Sequence, residues 1–166
     1  MDAIADDLDL SKERCNVFIG PVCMALPRDA SMFMDAPVDF QRYRLSNGDN
    51  IIMFAYVQHS AGEIEGTQSF AKDVRGFAIK GYISTRYGTQ RMDVVFVPRS
   101  SKVSTVHVYA DVTGERRDAV GEALAGLRPC TQKSLGDISC PSESTVGTDL
   151  VRWLRESSGT TFTARP

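Results

Sequence analysis

Long apolar runs are missing from this chain of 166 residues, so it lacks the roughly 20 consecutive apolar residues that a spanning helix requires. A strong excess of charge is missing too. The net charge of −2 lacks the basic face that releases counterions from phosphates, so a general nucleic-acid binder is not expected, although a local basic patch has room to exist. There is no G-x-S-x-G elbow, no glycine-rich phosphate loop followed by lysine, no H-E-x-x-H and no dinucleotide fingerprint. Each would have named a chemistry, and without them no cofactor is expected. Internal repeats and low-complexity tracts are absent. What remains is a hydrophobic content of 42% with 24% charged residues, the composition of an ordinary globular domain of single-domain length.

Charge is unevenly placed. Asp2, Asp6, Asp7, Asp9 and Glu13 face Lys12 alone in residues 1–13, which leaves the rest slightly positive. Such a leader has few apolar groups to offset ordering entropy, so a solvated arm is expected there, with a helix docked by Ile4, Leu8 and Leu10 as the alternative. Residues 15–27 are apolar and follow Lys12 and Arg14, as a signal-peptide core does. The acidic arm before them, the Gly20-Pro21 break and the lack of a small-x-small site argue against that role.

Four cysteines fall into two local pairs, Cys15 with Cys23 and Cys130 with Cys140. If a hairpin turns about Ile19-Gly20-Pro21, Cys15 and Cys23 lie opposite each other, with Cβ atoms about 4.5–5.5 Å apart, close to disulfide geometry. The polar segment 131–139 would be closed by the second pair. Structural zinc sites favour C-x₂₋₄-C pairs. Spacings of C-x₇-C and C-x₉-C, with no matching histidine interval, predict no metal site. Disulfides imply an oxidising compartment, and four reduced thiols in a cytosolic protein are the competing reading.

Strand-like runs read at 38–46, 50–58, 76–86, 91–98 and 103–111. Asn47-Gly48-Asp49 is a strong hairpin signal. Ile51 to Val57 is apolar almost throughout, which predicts a central strand covered on both faces. Residues 59–68 read as a loop, Gly81 as a bulge or bend, and Tyr87-Gly88-Thr89 and 98–102 as turns. A helix over 114–127 carries Val120, Ala123, Leu124 and Leu127 as one stripe, with Asp111 or Thr113 to cap it and Pro129 to stop it. A short helix over 149–156 carries Leu150, Trp153 and Leu154. The fold class is α+β: an antiparallel β-sheet meander of five to seven strands, with the amphipathic C-terminal helix packed on one face and a short appended helix. The parts are an arm (1–13), an α+β domain (14–129) and a C-terminal extension (130–166).

Candidate chemistry is sparse. His59 with Ser60 and Glu63 occupies a loop where catalytic groups can occur, but adjacent residues point apart. His107 alternates with valines as a half-exposed sheet residue, and Asp39, Asp93 and Asp111 have no visible partner. Tyr43, Tyr56, Tyr82 and Tyr109, with Tyr87, could line a sheet face, and with His59 the first four form the candidate binding surface. Met24, Met32, Phe33 and Met34 read as core or lid.

Met24-Ala25-Leu26-Pro27, the sheet, and Gly121-Glu122-Ala123-Leu124-Ala125-Gly126-Leu127-Arg128-Pro129 together resemble PsbP-like and DcrB-like domains. The resemblance covers residues 15–129. It implies a leading strand ending in a Leu-Pro step, a twisted antiparallel sheet and a closing helix, in non-enzymatic envelope or assembly factors, some of whose relatives are chaperones for secreted effectors. It carries no catalytic residue. The expectation is a non-catalytic periplasmic or secreted protein whose partner is another protein. The alternatives are a small hydrolase or transferase using the His59 loop, and a cytosolic effector-chaperone-like module.

Overall fold

The structure, a computed structural model, describes residues 14–37, 39–134 and 137–163, so the expected acidic arm lies outside the described residues. It is mostly antiparallel β-sheet with two helices, consistent with the α+β class. The large sheet contains β3 (Ser31–Asp35), β4 (Gln41–Asn47), β5 (Asn50–Gln58), β6 (Thr67–Val74), β7 (Phe77–Arg86), β8 (Thr89–Pro98) and β9 (Thr105–Asp111). Their spatial order is β3-β4-β5-β9-β8-β7-β6. This is two runs joined through β5 and β9, so the chain leaves β5, crosses to the far edge and returns strand by strand.

Alternation explains which side each strand buries. Met53, Ala55 and Val57 of β5, Met92, Val94 and Phe96 of β8, and Val106, Val108 and Ala110 of β9 all enter one core. Each large side chain taken fully out of water there contributes about 1.5–3 kcal/mol. Helix α1 (Arg116–Ala125) packs on β5 and β9 with Val120, Ala123 and Leu124 inward. It is shorter than the expected 114–127. Asp111 and Thr113 do not cap it. Asp111 Oδ1 accepts from the Thr113 amide at 2.8 Å, and Thr113 Oγ1 accepts from the Gln90 amide at 2.8 Å, so both secure the end of β9 instead. Leu127, expected as the end of the stripe, lies in β10 (Leu127–Pro129).

Strand β10 joins β1 (Val17–Ile19) and β2 (Val22–Met24) in a small sheet, order β1-β2-β10, and β11 (Thr131–Ser134) pairs with β12 (Asp137–Ser139). Ile19, Val22 and Met24 belong to the same core. Helix α2 (Thr145–Thr163) begins earlier and runs longer than the expected 149–156. Ser144 Oγ accepts from the Gly147 amide at 2.8 Å, the bond of an N-cap serine. Val146, Leu150, Trp153 and Leu154 of this helix enter the same core.

Three local expectations change. The hairpin turns on Gly20-Pro21 alone, which pairs Phe18, and not Cys15, with Cys23. Gly20 has φ +55°, and a Cβ there would sit 2.9 Å from Val57 Cγ1, so both its backbone and its surroundings require glycine. Strand β6 starts at Thr67, inside the segment read as loop. Its inward face is Phe70, Lys72 and Val74, and the lysine, ion-paired with Asp149, hides the apolar pattern at a sheet edge. Phe33 and Met34 are exposed on edge strand β3 and are not core, whereas Met32 packs against the core.

Candidate functional site

Among the described residues, the face of the large sheet opposite the helices carries the most developed side-chain cluster. Pairing registers align Phe33, Arg44, Phe54, Tyr109, Asp93 and Tyr82 in one row across six strands. A second row runs Asp35, Arg42, Tyr56, His107, Val95 and Lys80. Strand β5 was expected to be covered on both faces. It lies inside the sheet, but its outward Phe54 and Tyr56 are only half-buried. Aromatic outward residues, not a second covering layer, account for its continuous apolar run.

Asp93 is the anchor. Its side chain is 4% exposed, so it has left water almost completely. Arg91 grips it with two hydrogen bonds, Nε to Oδ1 at 3.0 Å and Nη2 to Oδ2 at 2.9 Å. His107 Nε2 lies 2.7 Å from Oδ2. Burial pushes the Asp93 carboxyl up, but the bonds from His107 and Arg91 outweigh it and hold the group below its ordinary value. The same bond raises the Arg91 pKa.

Rings surround this anchor. The Arg91 guanidinium lies 4.3 Å from the Tyr109 ring centroid, and Phe54 stacks on the other side of the row at 5.2 Å from Tyr109. Tyr109 donates its hydroxyl to that of Tyr56 at 3.0 Å. Burial first, then that bond, raises the Tyr109 pKa well above its ordinary value. Phe40 meets Tyr56 edge-on at 5.4 Å. Arg44 covers Phe33 at 5.1 Å, and Arg42 is paired with Asp35. The Asp35 carboxyl is lowered by its hydrogen bond from Arg42.

Two hollows open on this face. One, about 390 Å³, is lined by Phe33, Asp35, Arg42, Arg44, Phe54 and Tyr56. The other, about 410 Å³, lies under the loop after β5 and holds His59, Lys80, Tyr82 and Val95. The arginines are fixed by neighbours before any ligand arrives, and their outer edges and the rings stay accessible. This arrangement suits an extended chain with aromatic, aliphatic and carboxylate groups.

Of the candidate tyrosines, Tyr56 and Tyr109 sit at the centre and Tyr82 in the neighbouring hollow. Tyr43 is on the opposite face. In β4, Arg42 and Arg44 point outward, so Tyr43 and Leu45 must point into the core. Tyr87 is a fully exposed turn residue. His59 rims the second hollow, and its backbone carbonyl accepts from Thr105 Oγ1 at 3.3 Å. Asp93 was read as having no partner, and His107 as an ordinary sheet residue. Their pairing depends on the β8–β9 register, which sequence does not print, although Arg91-x-Asp93 alternation was a usable hint.

Nucleophilic catalysis needs a base beside its nucleophile. Among the described residues, no serine, threonine or cysteine is hydrogen-bonded to either histidine ring. Among the described residues, a grouping of possible metal ligands lies elsewhere: Cys15, Cys23 and Cys140 converge beside the small sheet. Cys15 with Cys23, and Cys130 with Cys140, lie at disulfide distance, with Cα separations of 5.8 and 4.4 Å. No helix among the described residues is long and apolar enough to cross a membrane. Comparisons with protein-family models, curated proteins and solved structures give no match to this chain.

Proposed function

We propose that this chain is a non-catalytic binding protein of the cell envelope or secreted space, which holds another protein on the open face of its large sheet. The observation that carries the reading is the aromatic and arginine row from Phe33 to Tyr82, with Asp93 buried and tied at its centre. Cross-strand stacking of these rings stabilises the sheet by itself, yet it leaves Phe54, Tyr56 and Tyr109 half-exposed, and a bound chain would complete their burial. The two cysteine pairs at disulfide distance support an oxidising compartment, periplasmic or extracellular. Kinship with PsbP-like and DcrB-like assembly factors belongs to this proposal and rests on the Leu26-Pro27 step, the sheet and the closing helix.

The test is site-specific photocrosslinking in the native host. A photoreactive residue replacing Phe54 should trap a discrete protein adduct, and one replacing exposed Glu115, on the helix side, should not. Equal labelling at both positions, or none at Phe54, would sink the reading. The hollow holding His59, Lys80 and Tyr82 favours a second reading, a small hydrolase or transferase. That reading requires a turnover that disappears in His59→Ala.

A further inference from the structure

The four cysteines make one cluster built from four separate pieces of chain. Cys23 is on β2 and is fully buried. Its register partner is Arg128 on β10, and Cys130 follows two residues later, on the same side of the sheet. The Cys130 amide donates to the Pro21 carbonyl at 2.9 Å, which locks this thiol position beside β2. Cys15 enters from the segment ahead of β1, and Cys140 from the segment after β12. The sulfurs of Cys15, Cys23 and Cys140 all lie within 4.8 Å of one another, and Cys130 is paired with Cys140. The two pairs therefore lie side by side: three sulfurs fall within 4.8 Å of one another, and the fourth, on Cys130, is held to Cys140. Val22 and Met24 point from β2 into the core, so the cluster occupies the other face of the small sheet.

We propose that, once both pairs are reduced, these four cysteines form a single tetrathiolate site for a zinc-class ion. Each disulfide takes two electrons from the reductant and becomes two thiols: a thiol reductant also gives the two protons and ends as its own disulfide, whereas a phosphine ends as the phosphine oxide, with oxygen and both protons from water. The divalent ion then displaces up to four protons and binds four thiolates, with no change in its own oxidation state. Tetrahedral zinc–thiolate bonds of about 2.3 Å place sulfurs nearly 4 Å apart, so reduction has to part each pair and bring the Cys130 sulfur to the three that already lie within 4.8 Å of one another. Such a site carries two net negative charges. Arg128, buried beside Cys23, supplies a fixed positive charge next to it. The spacing argument against zinc concerns ligands paired within one short loop. Here the sheet brings the ligands together, so C-x₇-C and C-x₉-C spacings do not decide the matter. The inference is independent of the open sheet face.

The experiment titrates the full chain, reduced by a phosphine under argon, with cobalt(II) and then zinc(II). One cobalt per chain with intense tetrahedral thiolate absorption, displaced by zinc, is expected. Cys15→Ser and Cys140→Ser, both outside the regular strands, should each abolish that spectrum while circular dichroism stays that of a folded β protein. If the reduced chain is unfolded without metal, zinc should restore its fold. No stoichiometric cobalt, a spectrum unchanged by Cys15→Ser, or an unfolded chain that zinc does not restore overturns the proposal.

Discussion

Trp153 offers the sharpest test of how the molecule is held together, because one side chain joins the C-terminal helix to the far edge of the sheet. It is 6% exposed. Its ring lies 5.6 Å from Phe70 of β6, and its indole Nε1 donates to Ser69 Oγ at 2.8 Å. It also fills the space above Gly81, where an added Cβ would stand 2.8 Å from the ring. Glycine at 81 is thus the vacancy that the indole occupies. The bulge expected there lies on β6 instead, between Gln68 and Phe70. Trp153→Ala deletes this contact and leaves a cavity, a change that costs about 3–5 kcal/mol in a packed core. The lost bond adds little, since exposed Ser69 turns to water. Against a total stability of about 5–15 kcal/mol, that is between a fifth and the whole of what holds the fold. Urea denaturation followed by far-ultraviolet circular dichroism measures the difference, and Trp153→Phe should lose less. A Trp153→Ala midpoint displaced by the equivalent of less than about 1 kcal/mol, within the range of ordinary surface changes, would refute the docking of α2 on β6 and β7.

Two further outcomes are expected. The Asp93 carboxyl is held below its unfolded value of about 3.9, so its network stabilises the fold fully above that pH and loses this contribution as pH falls through the lower folded value. Asp93→Asn should therefore flatten the stability profile below about pH 4, and an acid limb identical to the parent's would contradict the assignment. Leu124→Asp should abolish stable folding, because Leu124 is fully buried and an unpaired carboxylate there costs several kcal/mol; a parental melting transition would mean that α1 does not pack on the sheet.

How much of this was legible in the sequence depends on the range of each interaction. Strand β5 was placed at 50–58, since its apolar run and the Asn47-Gly48 turn are local signals. The segment around β8 and β9 was readable for the same reason. Strand β6 was not, because its inward lysine balances Asp149, which lies far along the chain, and a charge at an inward position breaks the two-residue period. Helix α1 was overextended because Leu127 continues the stripe by spacing, yet β2 claims it as a strand partner. Tyr43 was grouped with the other tyrosines because composition carries no facing, whereas its flanking Arg42 and Arg44 already implied that it points inward.

The site itself shows the limit more plainly. Tyr56 and Tyr109 were named, but for their residue type alone. What brings them together is the path of the chain from β5 across to β6 and back, which sets β9 against β5 and β8 against β9. Only that path puts His107 and Arg91 on one carboxylate and stacks Phe54 on Tyr109. Residues 54, 56, 91, 93, 107 and 109 sit in three segments, none of which contains a motif. A one-residue slip in either pairing would send the rings and charges to the core side. The open face is thus written in the alternation of each strand, which sequence shows, and in the register between strands, which it does not. The cysteines repeat the lesson. Their pairs are local in sequence, but the contact between the pairs is a property of β2 beside β10, and no spacing rule within either loop reports it.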